Sequence, residues 1–135
     1  DNAKIGDPHV RVGVVAGDGG AVIRPWLVGA ARAKELLMTG DVISAAEAER
    51  IGLVNHVVPA DQLMDKAMAL ATRLANGPSK AIRWTKVSVN KILRDTANLV
   101  LDTSLALEKH CFVTEDHKEA IRSFVEKREP KFTGK

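Results

Sequence analysis

The chain contains no tyrosine, and aromatic residues make up only 4% of its 135 residues. Proteins that bind single-stranded nucleic acid stack bases on aromatic side chains, so this scarcity argues against such a partner. No apolar run approaches the roughly 18 residues that cross a bilayer, and the first residues are too polar for a secretory signal. We therefore expect a cytoplasmic chain that binds neither nucleic acid nor membrane.

Cysteine occurs once, as Cys111, which excludes an internal disulfide. It lies in an apolar stretch with a helical pattern, which favours a small buried side chain over a reactive thiol. No cysteines and histidines occur at the spacing of a zinc site, so the sequence predicts no metal. The apolar fraction of 45% and the charged fraction of 27% are those of one ordinary globular domain.

The net charge of +3 is concentrated at the end of the chain. Residues 118–135 contain six lysines and arginines against three glutamates, and everything before them is neutral. Such a region suits a small polyanion or a nucleic acid, and the alternative is a solvated basic terminus without a ligand.

A glycine-punctuated turn at residues 13–20 follows a β-branched stretch and precedes an apolar, helical segment. Gly17, Gly19 and Gly20 can leave backbone N–H groups open to a ligand, and the helix that follows directs its positive dipole end there. The spacing fits neither a P-loop nor a dinucleotide fingerprint. A tight turn without a ligand is the alternative.

Hydrophobic periodicity and breakers predict the following elements. Residues 5–16 are predicted to form a short strand or extended segment. Residues 21–28 and 30–38 are predicted to form two helices, the second of which ends at Gly40. Ser44 and Glu47 form a capping box before a short helix, and residues 53–58 suggest a second strand. The rest is helical, with one helix ending at Asn76-Gly77, one starting at Pro78, one at about 96–112 and one capped by Thr114.

Several motifs in this order resemble the second half of the enoyl-CoA hydratase/isomerase (crotonase) family. They are residues 7–13, 24–29, 36–48, 51–59 and 124–132. The resemblance implies an α/β crotonase-type parent, a ββα spiral, of which this chain is a mainly α-helical C-terminal half with one or two short strands. It divides the chain into residues 1–58, the end of the spiral core, and residues 59–135, a helical oligomerisation region.

The resemblance also implies which residues carry chemistry. The family's hydratases use two glutamates, one upstream of the segments seen here and one at the position where this chain has His9. Histidine can replace a carboxylate as a proton shuttle, although a structural histidine is the alternative. Asp18 stands where hydratases usually carry a small residue, and it either orients water or His9, or caps a helix. The donors that hold the thioester oxygen belong to the family's first half.

Phe124 and Lys127 match family positions that reach the coenzyme A nucleotide, and Gly17, Gly19 and Gly20 match the turn near the acyl group. Arg24 has no partner visible in the sequence and is interpreted as structural. The resemblance therefore implies a cofactor-free enzyme of fatty acid metabolism that adds water to an enoyl-CoA thioester or isomerises it, assembled as a trimer or hexamer. The alternative is a catalytically incomplete helical oligomerisation module, because the oxyanion donors lie outside these residues.

Overall fold

The computed structural model describes residues 1–135 and consists mainly of helices. They are α1 (Gly20–Val28), α2 (Ala30–Thr39), α3 (Ala45–Arg50), α4 (Leu63–Ala75), α5 (Ser79–Cys111) and α6 (Glu115–Glu126), with single 3-10 turns at His9–Val12 and Ala60–Gln62. Two short antiparallel strands, β1 (Lys4–Ile5) and β2 (Ile43–Ser44), pair Lys4 with Ser44 and Ile5 with Ile43. The predicted mainly helical chain with one or two short strands is confirmed.

The extended segment predicted for residues 5–16 is wrong in its middle. After Pro8 the chain winds into a 3-10 turn, in which the Arg11 N–H donates to Pro8 O at 2.9 Å. Gly13 closes this turn with a φ of 68°. The fixed φ of proline suits a turn as well as a strand, and no neighbouring strand is present to pair with the β-branched residues.

The strand predicted for residues 53–58 is absent as well. The N–H groups of Leu53 and Val54 both donate to Ala48 O, at 2.8 and 3.3 Å, and the Val57 N–H donates to Glu49 Oε1 at 2.9 Å. The apolar segment thus folds back onto α3. A strand needs a partner ladder, and β2 is paired with β1 alone.

Glycine and hydroxyl caps bound the helices where the sequence predicts them. Gly40, with a φ of 68°, ends α2, and Thr114 Oγ1 accepts the His117 N–H at 3.2 Å before α6. Ser44 Oγ accepts the Glu47 N–H at 3.2 Å. The other half of this capping box does not form, because the Glu47 carboxylate binds the guanidinium of Arg50 instead.

Helix α5 is one continuous helix of 33 residues, whereas the sequence predicted two helices, one starting at Pro78 and one at about residues 96–112. It contains neither glycine nor proline, so nothing interrupts its hydrogen bonds, and at 1.5 Å per residue it is about 50 Å long. The indole Nε1 of Trp26 in α1 donates to Thr96 Oγ1 at 3.0 Å and ties the middle of α5 to α1.

The buried core lies between α1, α2 and α3 and contains Val28, Ala33, Leu36 and Ile51. Helix α4, in contrast, has no buried residue. Its exposed large apolar side chains are Leu63, Met64, Met68, Leu70 and Leu74. These apolar side chains therefore lie on the outside of the chain. None of the helices is both long enough and apolar enough to cross a membrane.

Candidate functional site

His9 begins the 3-10 turn that follows Pro8, and its side chain is paired with a carboxylate. Its Nδ1 forms a hydrogen bond with Asp7 Oδ1. This bond is the main reason why the pKa of His9 lies above 6.5; partial burial opposes it, and the charges of Asp7, Asp18 and Glu108 support it. With Nδ1 engaged by Asp7, Nε2 is the ring atom left to exchange a proton with a ligand.

Asp7 is fixed in turn by Arg24 of α1. The Arg24 Nε lies 3.7 Å from Asp7 Oδ2, and the two side chains are only 10% and 12% exposed. Gly20 leaves room for the carboxylate, because a Cβ at that position would come within 2.3 Å of Asp7 Oδ2. Arg24 balances the charge of Asp7, and Asp7 orients the imidazole of His9.

Two further carboxylates lie near His9 Nε2. Asp18 Oδ1 is 3.7 Å from it. An oxygen of Glu108, in the last turns of α5, completes a group whose three polar atoms all lie within 4.8 Å of one another. The structure thus brings the predicted His9 and Asp18 together and adds Glu108. These three residues could also hold a cation, and the absence of a metal expected from the sequence stays a prediction.

The Glu108 carboxylate is not satisfied by the protein. Its Oε2 is buried and has no hydrogen-bond partner. Sequence reasoning missed Glu108 because it lies in another helix far along the chain and follows an apolar run, Leu105-Ala106-Leu107, that indicates packing. It also missed Asp7, although an acid two residues before a candidate histidine was a usable signal.

Gly17, in the middle of the glycine turn, packs against α5. Gly17 is buried, and a Cβ there would lie 2.5 Å from Ser104 O and 2.7 Å from Glu108 Cβ. Its N–H donates to Val15 O at 2.8 Å, so this amide is already engaged. Gly17 therefore sets how closely the turn approaches Glu108.

Residues 18–20, the end of the turn, are open. The N–H groups of Asp18, Gly19 and Gly20 donate to no backbone oxygen, and nothing lies within 4 Å of the Cβ position of Gly19. The N-cap of α1 is Gly19, with no side-chain cap, so the alternative assignment of Asp18 as a helix cap is wrong. Three N–H groups at the start of α1 are left for a ligand.

An apolar cavity of about 430 Å³ lies beside the turn. Eight of its nine lining residues are hydrophobic, among them Val14, Ala16, Ala21, Leu37, Met38 and Cys111. The volume is in the range of cavities that hold small ligands, and the lining suits a short hydrocarbon chain.

Phe124 and Lys127 lie away from His9 along α6. The first turn of α6 contacts the 3-10 turn, where His117 Nδ1 lies 2.7 Å from Val12 O. Phe124 lies towards the opposite end and is 83% exposed. Lys127 ends the helix in the left-handed conformation, with a φ of 54°. Neither residue joins the cluster around His9.

The basic tail is partly neutralised within the chain. Arg128 binds the carboxylates of Glu119 and Glu126, and the Lys131 N–H also donates to Glu119. These bonds, that to Arg128 first, lower the pKa of Glu119 to about 2. Lys127 forms no ion pair, so its ammonium group is available to a ligand.

The family model described as enoyl-CoA hydratase/isomerase matches residues 1–135. A probable enoyl-CoA hydratase of Mycobacterium bovis is 41% identical over 133 residues, which are 98% of this chain and 52% of that protein. A crotonyl-CoA hydratase of Syntrophomonas wolfei is 39% identical over 134 residues, 99% of this chain and 52% of that protein. The chain thus spans about half the length of these curated relatives.

The fold of this chain is also similar to that of a solved structure. The carnitinyl-CoA hydratase of Mycobacterium avium superposes with a TM-score of 0.88 at 30% identity. The superposition covers 98% of this chain and 52% of that one. The resemblance seen in the sequence motifs therefore extends to the arrangement of the helices.

Proposed function

Because the chain belongs to the enoyl-CoA hydratase/isomerase family, we propose that the whole protein acts on an enoyl-CoA thioester, by adding water to it or isomerising it. The observation that carries this proposal is the pair of Asp7 and His9, whose free Nε2 lies beside Asp18. His9 stands at the position for which the sequence resemblance implies a catalytic glutamate. The relatives named as hydratases support the substrate class.

In the proposed reaction His9 transfers the proton. Asp7 holds Nδ1, so Nε2 takes a proton from water or from the carbon next to the thioester and returns it later. The imidazolium that forms is stabilised by Asp7 and by Asp18, whose charges raise the pKa of His9. A histidine whose pKa is raised above its usual 6.5 can serve as acid and base in one cycle.

The open end of the glycine turn and the apolar cavity would receive the acyl group. The N–H groups of Gly19 and Gly20 have no protein acceptor and can donate to substrate or water, whereas Gly17 has a packing role. The cavity lined by Ala16 and Ala21 adjoins this turn and suits the hydrocarbon part. The proposed reaction needs no cofactor, because coenzyme A is part of the substrate.

We propose that Lys127 contacts a phosphate of coenzyme A and that the exposed Phe124 packs near its adenine. The unpaired ammonium of Lys127 supports this assignment. The exposed apolar face of α4 supports assembly into a homo-oligomer, for which the family resemblance implies a trimer or hexamer. The cytoplasmic location expected from the sequence stays a prediction.

The test compares the full encoded polypeptide with its His9→Gln variant, with crotonyl-CoA as substrate. We expect turnover by the wild type and a loss of about 10²- to 10⁴-fold in kcat for the variant, the range usual for a proton-transferring group. His110→Gln is the matched control, because His110 is exposed on α5. Full activity of His9→Gln, or no turnover and no acyl-CoA binding by the wild type, contradicts the proposal.

A second candidate function is a helical assembly module without catalysis. It is favoured by the exposed apolar face of α4, a helix without a buried residue. Sedimentation of the 135-residue chain, together with its crotonyl-CoA turnover, separates the two candidates. An oligomer that stays inactive in the full encoded polypeptide supports the module, and turnover by that polypeptide excludes it.

A further inference from the structure

We propose that Glu108 is a further residue of the reaction site, where it holds the reacting water molecule together with His9, beside the carboxylate of Asp18. This inference rests on the proposed function, because it assumes that water enters or leaves an enoyl-CoA thioester at His9. It assigns a role to α5, a helix that contributed no residue to the site predicted from the sequence.

The first support is the size of the triangle. The polar atoms of His9, Asp18 and Glu108 lie within 4.8 Å of one another. A point equidistant from the corners of a triangle with sides of that length is about 2.8 Å from each, the ordinary distance of a water hydrogen bond. A water molecule there can donate one O–H to Glu108 and the other to His9 Nε2, while Asp18 lies beside the ring as a negative charge.

The second support is the unmet hydrogen-bonding capacity of Glu108. Its Oε2 is buried without a partner, and a buried carboxylate oxygen in that state is destabilising unless a donor reaches it. The guanidinium of Arg24 is already engaged by Asp7. A water molecule that reaches this carboxylate would supply the missing donor.

The third support is that Glu108 is held in place. Its Cβ lies against Gly17, where a Cβ on the glycine would come within 2.7 Å of it. The neighbouring Ser104 is buried. The hydrogen bond between Trp26 and Thr96 fixes the same helix about three turns before Glu108. A carboxylate on a fixed helix can orient water more sharply than one on a loop.

The step conserves atoms and charge. The water donates one O–H to the Glu108 carboxylate and the other to His9 Nε2. As its oxygen bonds to C3 of the enoyl group, His9 takes the second proton and returns it to C2, so that the elements of water add across the double bond. Glu108 remains a carboxylate, holds the water and stabilises the imidazolium.

The test uses Glu108→Ala and Glu108→Gln in the full encoded polypeptide, with Asp102→Asn as a control on the exposed side of the same helix. Alanine keeps the Cβ that packs on Gly17 and favours helix, so thermal unfolding should stay close to that of the wild type. We expect Glu108→Ala to lower kcat about 10- to 100-fold, with KM for crotonyl-CoA changed less than about threefold. Glu108→Gln, which keeps an acceptor oxygen, should recover part of the loss.

A second readout would not respond to a merely structural role. The groups that face His9 are Asp7, Asp18 and Glu108, with Arg24 behind Asp7, and the Glu108 charge helps to raise the pKa of His9. Removing that charge should lower the pKa of His9, seen both by NMR titration and as a shift in the pH profile of kcat/KM. Asp102→Asn should leave both unchanged.

The outcomes separate this inference from the proposed function. A wild type without crotonyl-CoA turnover contradicts the proposed function and the water-holding role with it. If the wild type is active, kcat within twofold of wild type in Glu108→Ala contradicts the inference alone. Loss of activity with a chelator and its recovery with a divalent cation would also overturn it, because the three residues would then hold a metal.

Discussion

Substituting Gly17 by alanine tests how the glycine turn is seated on α5. A Cβ at Gly17 would lie 2.5 Å from the backbone oxygen of Ser104 and 2.7 Å from Glu108 Cβ and Oε2. Two of these three atoms cannot move without a shift of α5. Forcing an added methyl group into such a contact costs about 1 to 3 kcal/mol. For chains of about 150 to 250 residues this corresponds to a melting temperature lower by about 2 to 4 °C per kcal/mol.

The matched control is Gly77→Ala. Neither Gly17 nor Gly77 has a positive φ, so alanine is not excluded by backbone conformation at either site. The nearest atom to a Cβ on Gly77 is the terminal Cδ1 of Ile82, at 2.8 Å, which can rotate away. We expect this control to be neutral or stabilising by up to about 1 kcal/mol. Thermal and urea unfolding of the full encoded polypeptide measure both. Gly17→Ala with wild-type stability would refute the close seating of the turn on α5.

Three further predictions concern charged groups. Asp7→Asn should lower the pKa of His9 in an NMR titration. Because folding raises the pKa of His9, its pairing with Asp7 stabilises the fold below pH 6.5. This stabilisation is lost as the pH rises through the raised pKa. Folding lowers the pKa of Glu119 from 4.5 to about 2, so its carboxylate stabilises the fold above pH 4.5 and loses this effect as the pH falls towards 2. Glu119→Gln should therefore lower the melting temperature at neutral pH and reduce the dependence of the melting temperature on acid pH. Lys127→Gly should have effects of opposite sign: stability higher by about 1 kcal/mol because glycine accepts the φ of 54°, and KM for an acyl-CoA higher by about tenfold because a phosphate contact is lost. Unchanged titration, unchanged acid dependence or unchanged KM, respectively, would contradict them.

Local signals predicted the helix boundaries well and the extended segments poorly. Gly40, Ser44 and Thr114 act through bonds within a few residues of their own position, so the sequence alone identifies them. Residues 53–58 carry the composition of a strand but find no partner strand in the chain. Strand formation depends on such distant partners, and composition alone does not supply them.

The same distinction applies to the candidate site. His9 and Asp18 lie in motifs whose spacing drew attention to them, and the structure brings them within 3.7 Å. Glu108 reaches them because α5 packs on Gly17. The sequence did not predict this contact, since the side-chain pattern of a single helix does not reveal which turn of the chain it will touch.

A structure of the full encoded polypeptide with a non-reactive acyl-CoA analogue tests the central claim most directly. We predict that His9 Nε2 lies within about 3.5 Å of C2 or C3 of the acyl group or of a water molecule in contact with them. We also expect the hydrocarbon chain to enter the cavity beside Ala16 and Ala21. An acyl group bound elsewhere, with the imidazole of His9 enclosed by protein, would contradict it.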